Sequence, residues 1–270
     1  MRRHWWLMVA VFVPFSVRSQ ARDTVRIDGS NGVMPLARAL AAAFQEVDPS
    51  TVVTFGDGLG SRARIDALAR GAIQIALASH GLDTAALARQ NMTAHRVAVT
   101  PVVFAVHPMV TVNGLTSTQI CQAFGGTATR WNAFGGSALD VLPVLRPETE
   151  VDTEVIREGI GCLRGLAVPP NVAVVETTDD MARAIRSRPG AIGVTTSTVV
   201  QQALGAMRAI SIDGVAPTVT EVTAGRYRLV RPAFLVTGPR ATPAVQRFVS
   251  FARSTTGQRV IVSAGALPVP

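Results

Sequence analysis

Apolar and polar residues along this chain alternate between two rhythms. Short apolar runs at Val25–Ile27, Thr51–Phe55 and Ile73–Ala78 read as buried strands. Between them lie stretches of helical period. Pro35–Glu46 sets Leu36, Leu40, Ala43 and Phe44 on one face and stops before Pro49. Arg62–Arg70 follows Ser61 and stops at Gly71. This β-α-β alternation predicts an α/β fold with a parallel sheet covered by helices. Val97–Val106 is longer than an ordinary core strand and is broken by Pro101, so it reads as a crossing into a second lobe beginning near Pro108. In that lobe Thr116–Phe124 reads as a helix capped by Thr116 or Ser117, and Val141–Leu145 as a strand leading to Arg146. Asp152–Cys162 is expected to be a helix, Val172–Val175 a strand, and Asp179–Arg188 a helix capped by Thr178. Ala191–Thr195 follows as a strand. The chain then returns through a long strand, Tyr227–Val236, to a helix over Pro243–Arg253 capped by Thr242, and Arg259–Val262 closes it. No low-complexity tether separates the halves. The expected division is residues 22–104 plus 228–270 for lobe 1 and 105–227 for lobe 2.

The first residues follow neither rhythm. Met1-Arg2-Arg3-His4 is charged, Leu7–Val17 is apolar but interrupted by Pro14, and Ser19-Gln20-Ala21 is small and polar. That is the pattern of a secretory signal peptide cleaved after Ala21, and the apolar run is too short for a permanent membrane span. Residues 1–21 are therefore assigned as a signal peptide and the protein to the periplasm. Removing their three Arg lowers the formal net charge from +8 to +5. All 26 basic residues are Arg, so every permanent cation is a planar fork suited to oxyanions. They are scattered, without basic runs or interleaved aromatics, which argues against nucleic acid as a partner. In an exported chain, Cys121 and Cys162 either form a disulfide or pack as separate buried thiols. Neither they nor the dispersed His4, His80, His95 and His107 have the spacing of a metal site, and no cofactor is expected.

Two turns carry candidate chemistry. Ile27-Asp28-Gly29-Ser30-Asn31-Gly32 and Leu59-Gly60-Ser61 each end a strand-like run and open a helical segment. Backbone N–H groups at a helix start, beside Ser hydroxyls, suit a small anion. Either turn alone is equally what an N-cap looks like; two in one lobe point to an oxyanion site.

Taken together, these stretches resemble the phosphate-binding, solute-capturing (PstS-like) proteins of bacterial phosphate ABC transporters. Besides the two turns, the resemblance rests on Gly71–Ser79, on Leu115-Thr116 through Phe124-Gly125-Gly126 to Trp131, on Val144-Leu145-Arg146, and on Pro189-Gly190-Ala191-Ile192-Gly193. It implies a two-lobed, type II periplasmic-binding-protein fold with the ligand in the cleft, and a non-enzymatic protein, expected monomeric, that delivers a small anion to a membrane permease. Carried over residue by residue, it implies binding by Gly29, Ser30, Asn31, Ser61, Ser79 and His80 from lobe 1 and by Arg146 and Thr153 from lobe 2. Ser61 and Thr153 also read as plain N-caps, and Arg62 and Arg64, on a first helical turn, are expected to face solvent.

The chain departs from that family twice. His80 stands where the family commonly has Asp, replacing a proton acceptor by a group that accepts only when neutral. After Arg146 the chain reads Pro147-Glu148-Thr149-Glu150-Val151-Asp152-Thr153, where the family usually shows Asp-Gly-Ser-Gly-Thr. Glu148 and Glu150 then either point outward or pair with Arg62 or Arg64. An exported domain that has lost small-ligand binding and acts through protein contacts or sensing is the alternative. A secreted phosphate-ester hydrolase, using Ser61, Ser79 or His80, is the weakest reading, because no Gly-x-Ser-x-Gly elbow is present.

Overall fold

The computed structural model describes residues 22–80, 82–170 and 172–269. The expected signal peptide lies outside them. The first lobe is built from β1 (Asp23–Gly29), α1 (Met34–Val47), β2 (Thr51–Phe55), α2 (Ser61–Ala69), β3 (Ile75–Ala78) and α3 (Thr84–Arg89). β4 (Thr93–Val106) leads on to β5 (Gly114–Leu115), α4 (Ser117–Phe124), β6 (Leu142–Leu145), α5 (Val151–Gly159), β7 (Ala173–Val174) and α6 (Thr178–Ser187). The second lobe continues with β8 (Ala191–Thr196), α7 (Ser197–Gln202), β9 (Arg208–Ala209), β10 (Ser211–Ile212) and α8 (Val219–Thr223). β11 (Val230–Thr237), α9 (Pro243–Arg253), α10 (Thr255–Ser263) and β12 (Leu267–Pro268) return to the first lobe.

The strands run in the order β2-β1-β3-β11-β4-β8-β6-β7. β1 lies parallel between β2 and β3, and β11 is inserted antiparallel between β3 and β4. In the second lobe β8 pairs antiparallel with β4 and parallel with β6. Strand period sorts the side chains onto two faces. Ile75 and Leu77 pack with Leu36, Leu40 and Phe44 of α1 and Phe248 of α9, whereas Ala76 and Ala78 pack with Leu68 of α2 and Leu87 of α3. Phe44 meets the Phe248 ring edge-on at a centroid distance of 5.3 Å. In the second lobe Val102, Phe104 and Val106 face Phe124, Trp131 and Ile156, while Val103 and Ala105 face Met181 and Ile185.

β4 is the crossing. Its first part, through Pro101, pairs with β11, and from Val102 onward it pairs with β8. Pro101 has no N–H to give and stands where the strand changes partner, so it costs little of the ladder. Tyr227 pins this point from below: its buried hydroxyl donates to the Val102 carbonyl at 2.7 Å, and burial pushes the phenol pKa above its ordinary value. Tyr227→Phe leaves that carbonyl unsatisfied and is expected to cost about 1–3 kcal/mol, read as a lower unfolding midpoint in denaturant; an unchanged midpoint would show that the bond is dispensable.

The expected Thr116 cap forms a full capping box with Gln119. At α6 the cap is Thr177, with Thr178 the first helical residue. Arg259–Val262 lies within α10. Cys121 of α4 and Cys162, in the short helical turn after α5, are joined in a disulfide with Cα atoms 6.1 Å apart. No described helix is long and apolar enough to cross a membrane.

Candidate functional site

The first turn is organised by Asp28. Its buried carboxylate accepts from the N–H groups of Gly29 (2.7 Å) and Gly58 (2.9 Å), tying the end of β1 to the loop before α2. Gly29 has φ +133°, and a Cβ there would strike the Leu77 backbone, so only glycine lets β1 leave the sheet this close to β3. Ser30 follows, with its N–H on the Leu77 carbonyl and its own carbonyl accepting from Val33 and Met34. Its hydroxyl is left to face the cleft. At the end of β3, Ser79 donates its buried hydroxyl to the Pro232 carbonyl at 2.7 Å.

The guanidinium that meets both serines belongs to Arg231 on β11. Its Nε donates to Ser79 Oγ at 2.8 Å, one terminal nitrogen donates to Ser30 Oγ at 3.0 Å, and the other meets the Asp152 carboxylate at 2.5 Å. Arg231 and Asp152 are both 2% exposed, and the pair links the crossing strand to the first turn of α5 in the second lobe. Gly32 makes the room: a Cβ there would collide with the Arg231 guanidinium. Arg231 was not expected in the site. The available signal was a single charge inside the otherwise apolar β11.

Arg64 corrects an expectation. It does not face solvent; it is 5% exposed, because the first turn of α2 packs into the cleft beside the β3–α3 turn. Its one hydrogen bond among the described residues goes to the His80 carbonyl at 3.4 Å, and its Nε has no partner. Burial first, and then the neighbouring Arg231 charge, push its guanidinium pKa below the ordinary value. Among the described residues, Asp152 pairs with Arg231 and no carboxylate pairs with Arg64. Arg62 and Ser61 are exposed; Ser61 is the first residue of α2, and Gly60 holds the cap position. His80 lies at the rim, 3.7 Å from Glu154 of the opposite lobe.

Arg146 turns the other way. It is 3% exposed, donates to Thr178 Oγ1 (3.1 Å) and the Glu176 carbonyl (2.8 Å), and pairs with Glu150 at 2.9 Å, all within the second lobe. Thr153 is no N-cap: it sits inside α5 and donates to the Arg146 carbonyl at 3.1 Å. Glu148 pairs with Arg157, so neither glutamate reaches Arg62 or Arg64. The Ser-rich turns of the first lobe and Arg146 are therefore held apart by different partners, and Arg231 occupies the position expected of Arg146. Asn31 packs its side chain over Gly58 and lines a cavity of about 180 Å³ between the lobes, opposite Thr178, Asp179 and Gln202.

A two-lobed sheet with one crossing in each direction, and polar turns meeting at the carboxyl ends of its parallel strands, places the cleft where such sheets hold ligands. The family model described as a PBP superfamily domain matches residues 16–256. The chain belongs to the PBP superfamily. Among curated proteins, this PBP superfamily member is similar to the phosphate-binding protein PstS of Bacillus subtilis, 27% identical over 257 residues that span 93% of this chain and 82% of that protein. It is also similar to protein SphX of Synechococcus elongatus, 25% identical over 95% of this chain and 81% of that one. Of solved structures, a Clostridium perfringens protein with bound phosphate aligns with a TM-score of 0.75 at 23% identity, over 92% of this chain and all (100%) of that one. An ABC-type phosphate transport receptor from Vibrio cholerae aligns at 0.60 and 24% identity, over 91% and 100% of the two chains. These likenesses show the two-lobed periplasmic-binding-protein fold.

Proposed function

We propose that this protein is an exported solute-binding protein that captures a small oxyanion, phosphate first, in the cleft and delivers it to a membrane permease. The observation that carries this reading is the charge balance of the cleft. Arg64 and Arg231 are both buried, yet among the described residues only Arg231 has a carboxylate partner, Asp152. A buried guanidinium without a counter-ion is costly, and an anion entering beside Arg64 removes that cost. The Ser30 hydroxyl and the N–H groups opening α5 supply neutral donors around it. The named activities of the relatives from Bacillus subtilis and Vibrio cholerae point to the same class of ligand. Binding and release by lobe closure about the segments near Thr100–Phe104 and Arg228–Val236 need no bond making, so the protein acts without catalysis. In this reading the two lobes are residues 22–104 with 228–270, and residues 105–227. Ser30, Arg64 and Arg231 hold the anion, Ser79 fixes the Arg231 guanidinium from behind, and Ser61 and His80 stand at the rim.

Calorimetric titration with phosphate, sulfate, molybdate and a phosphonate tests the reading. Trp131 is fully buried on the Gly190 carbonyl, so intrinsic fluorescence is a poor reporter of the cleft. Phosphate is expected to give a saturable heat. Arg64→Gln should weaken it by about 10- to 100-fold, the worth of one charge-assisted hydrogen bond. No heat with any anion would favour the alternative of an exported domain acting through protein contacts or sensing, which draws its support from the Arg231–Asp152 pair filling the cleft.

A further inference from the structure

One charged group of the cleft has no task in anion capture. Asp152 is a carboxylate, 2% exposed, placed where an anion is expected to be welcome. It sits on the first turn of α5, at the positive end of the helix, and its partner is the guanidinium that also reaches Ser30 and Ser79. The other charges around it are committed or remote. Glu150 is held by Arg146, Glu154 and His80 meet each other at the rim, and Arg64 has no carboxylate among the described residues.

Resting on the oxyanion reading above, we infer that Asp152 is the affinity- and specificity-setting residue of the cleft: its carboxylate stands on Arg231 in place of the ligand, and an incoming oxyanion binds by displacing it. Three consequences follow from the geometry. The ligand-free protein is held closed by its own side chains, since the pair bridges the second lobe to the crossing strand. The affinity of the wild-type cleft is set by the difference between two anions competing for one guanidinium, and is therefore lower than the donors alone would give. Once Asp152 has been displaced, Arg64 and Arg231 together present two positive charges, which selects dianionic oxyanions such as hydrogen phosphate and sulfate over monoanions such as nitrate.

The test is titration of wild type, Asp152→Asn and Asp152→Ser with phosphate, sulfate and nitrate, with small-angle scattering of each protein before and after phosphate. Asn keeps the shape and removes the charge, while Ser also vacates the space, so that one of the two remains informative if the other fails to fold. Both variants are expected to bind phosphate and sulfate about tenfold or more tighter than wild type. Ligand-free wild type should be as compact as its phosphate-bound form, whereas the ligand-free variants are expanded and contract with phosphate. Weaker phosphate binding in the variants would overturn the inference, because it would make Asp152 an acceptor for the ligand's own proton. Unchanged affinity, or a ligand-free wild type as expanded as the variants, would also overturn it. Silence of wild type and variants toward every oxyanion would remove the capture reading, and the inference with it. Phosphate binding by wild type with no gain in the variants would remove the inference alone.

Discussion

Arg231→Ala is expected to lower the stability of the protein by about 3–5 kcal/mol, the usual result of removing one partner of a buried ion pair. The substitution leaves the Asp152 carboxylate 2% exposed with no cation, and takes a donor from both Ser30 and Ser79. Against a total folding free energy of roughly 5–15 kcal/mol, that is about a fifth of the stability or more. Most of this loss is the cost of a stranded charge and little of it is lost attraction. Arg231→Ala/Asp152→Ala should therefore regain much of the stability lost in the single variant, and Asp152→Ala alone should resemble Arg231→Ala in sign. Denaturant melts of the wild type, the two single variants and the double variant check this. A double variant whose loss equals or exceeds the two single losses combined would contradict the pair as the dominant contact. Arg231→Ala should also abolish phosphate binding, because it removes the only guanidinium that reaches both serine turns among the described residues.

The second large effect is expected from the Cys121–Cys162 bridge. It closes a loop with a sequence separation of 41, for which loop-closure entropy gives about 4 kcal/mol. For a domain of this size that corresponds to roughly 8–16 °C in melting temperature. The bridge ties α4 to the turn after α5, the helix that carries Asp152 and Thr153. Thermal melts with and without reductant should separate by this amount, and the Cys121→Ala/Cys162→Ala variant should melt with the reduced protein. Coincident melts would show that the bridge adds nothing to the folded protein.

Much of the fold was legible because it is periodic. The alternation of Ile75, Leu77 against Ala76, Ala78, the Leu36–Leu40–Phe44 stripe, and the capping signals at Thr116 and Thr242 all act over a few residues and do not depend on what packs from afar. The interruption at Pro101 marked the crossing for the same reason. At α6, where two threonines adjoin, the same logic chose the wrong neighbour, because Thr178 is drawn inward by Arg146 and Thr177 takes the cap. The site was legible only as turns. Gly29, Ser30 and Ser79 lie where their local sequence puts them, at the ends of β1 and β3. What no local pattern reports is where a long side chain goes once the lobes meet. Arg64 reads as a surface residue of a short helix and is buried beside the turn that follows β3. Arg146 stands at the end of its strand as expected, but Glu176, Thr178 and Glu150 claim it from its own lobe. Arg231 was hidden inside an apolar strand, and its role emerges only when β11 is set against β3 and Gly32 is seen to leave the space.

In the proposed function the buried guanidiniums of Arg64 and Arg231 form the seat of a captured oxyanion. Diffraction from crystals grown with saturating phosphate tests it most directly. The expected density is a tetrahedral anion within hydrogen-bonding distance of Arg64 and Arg231, touched by Ser30, with the Asp152 carboxylate withdrawn from Arg231. A cleft holding an unbroken Arg231–Asp152 pair and no anion, or an anion seated on Arg146 instead, would contradict it.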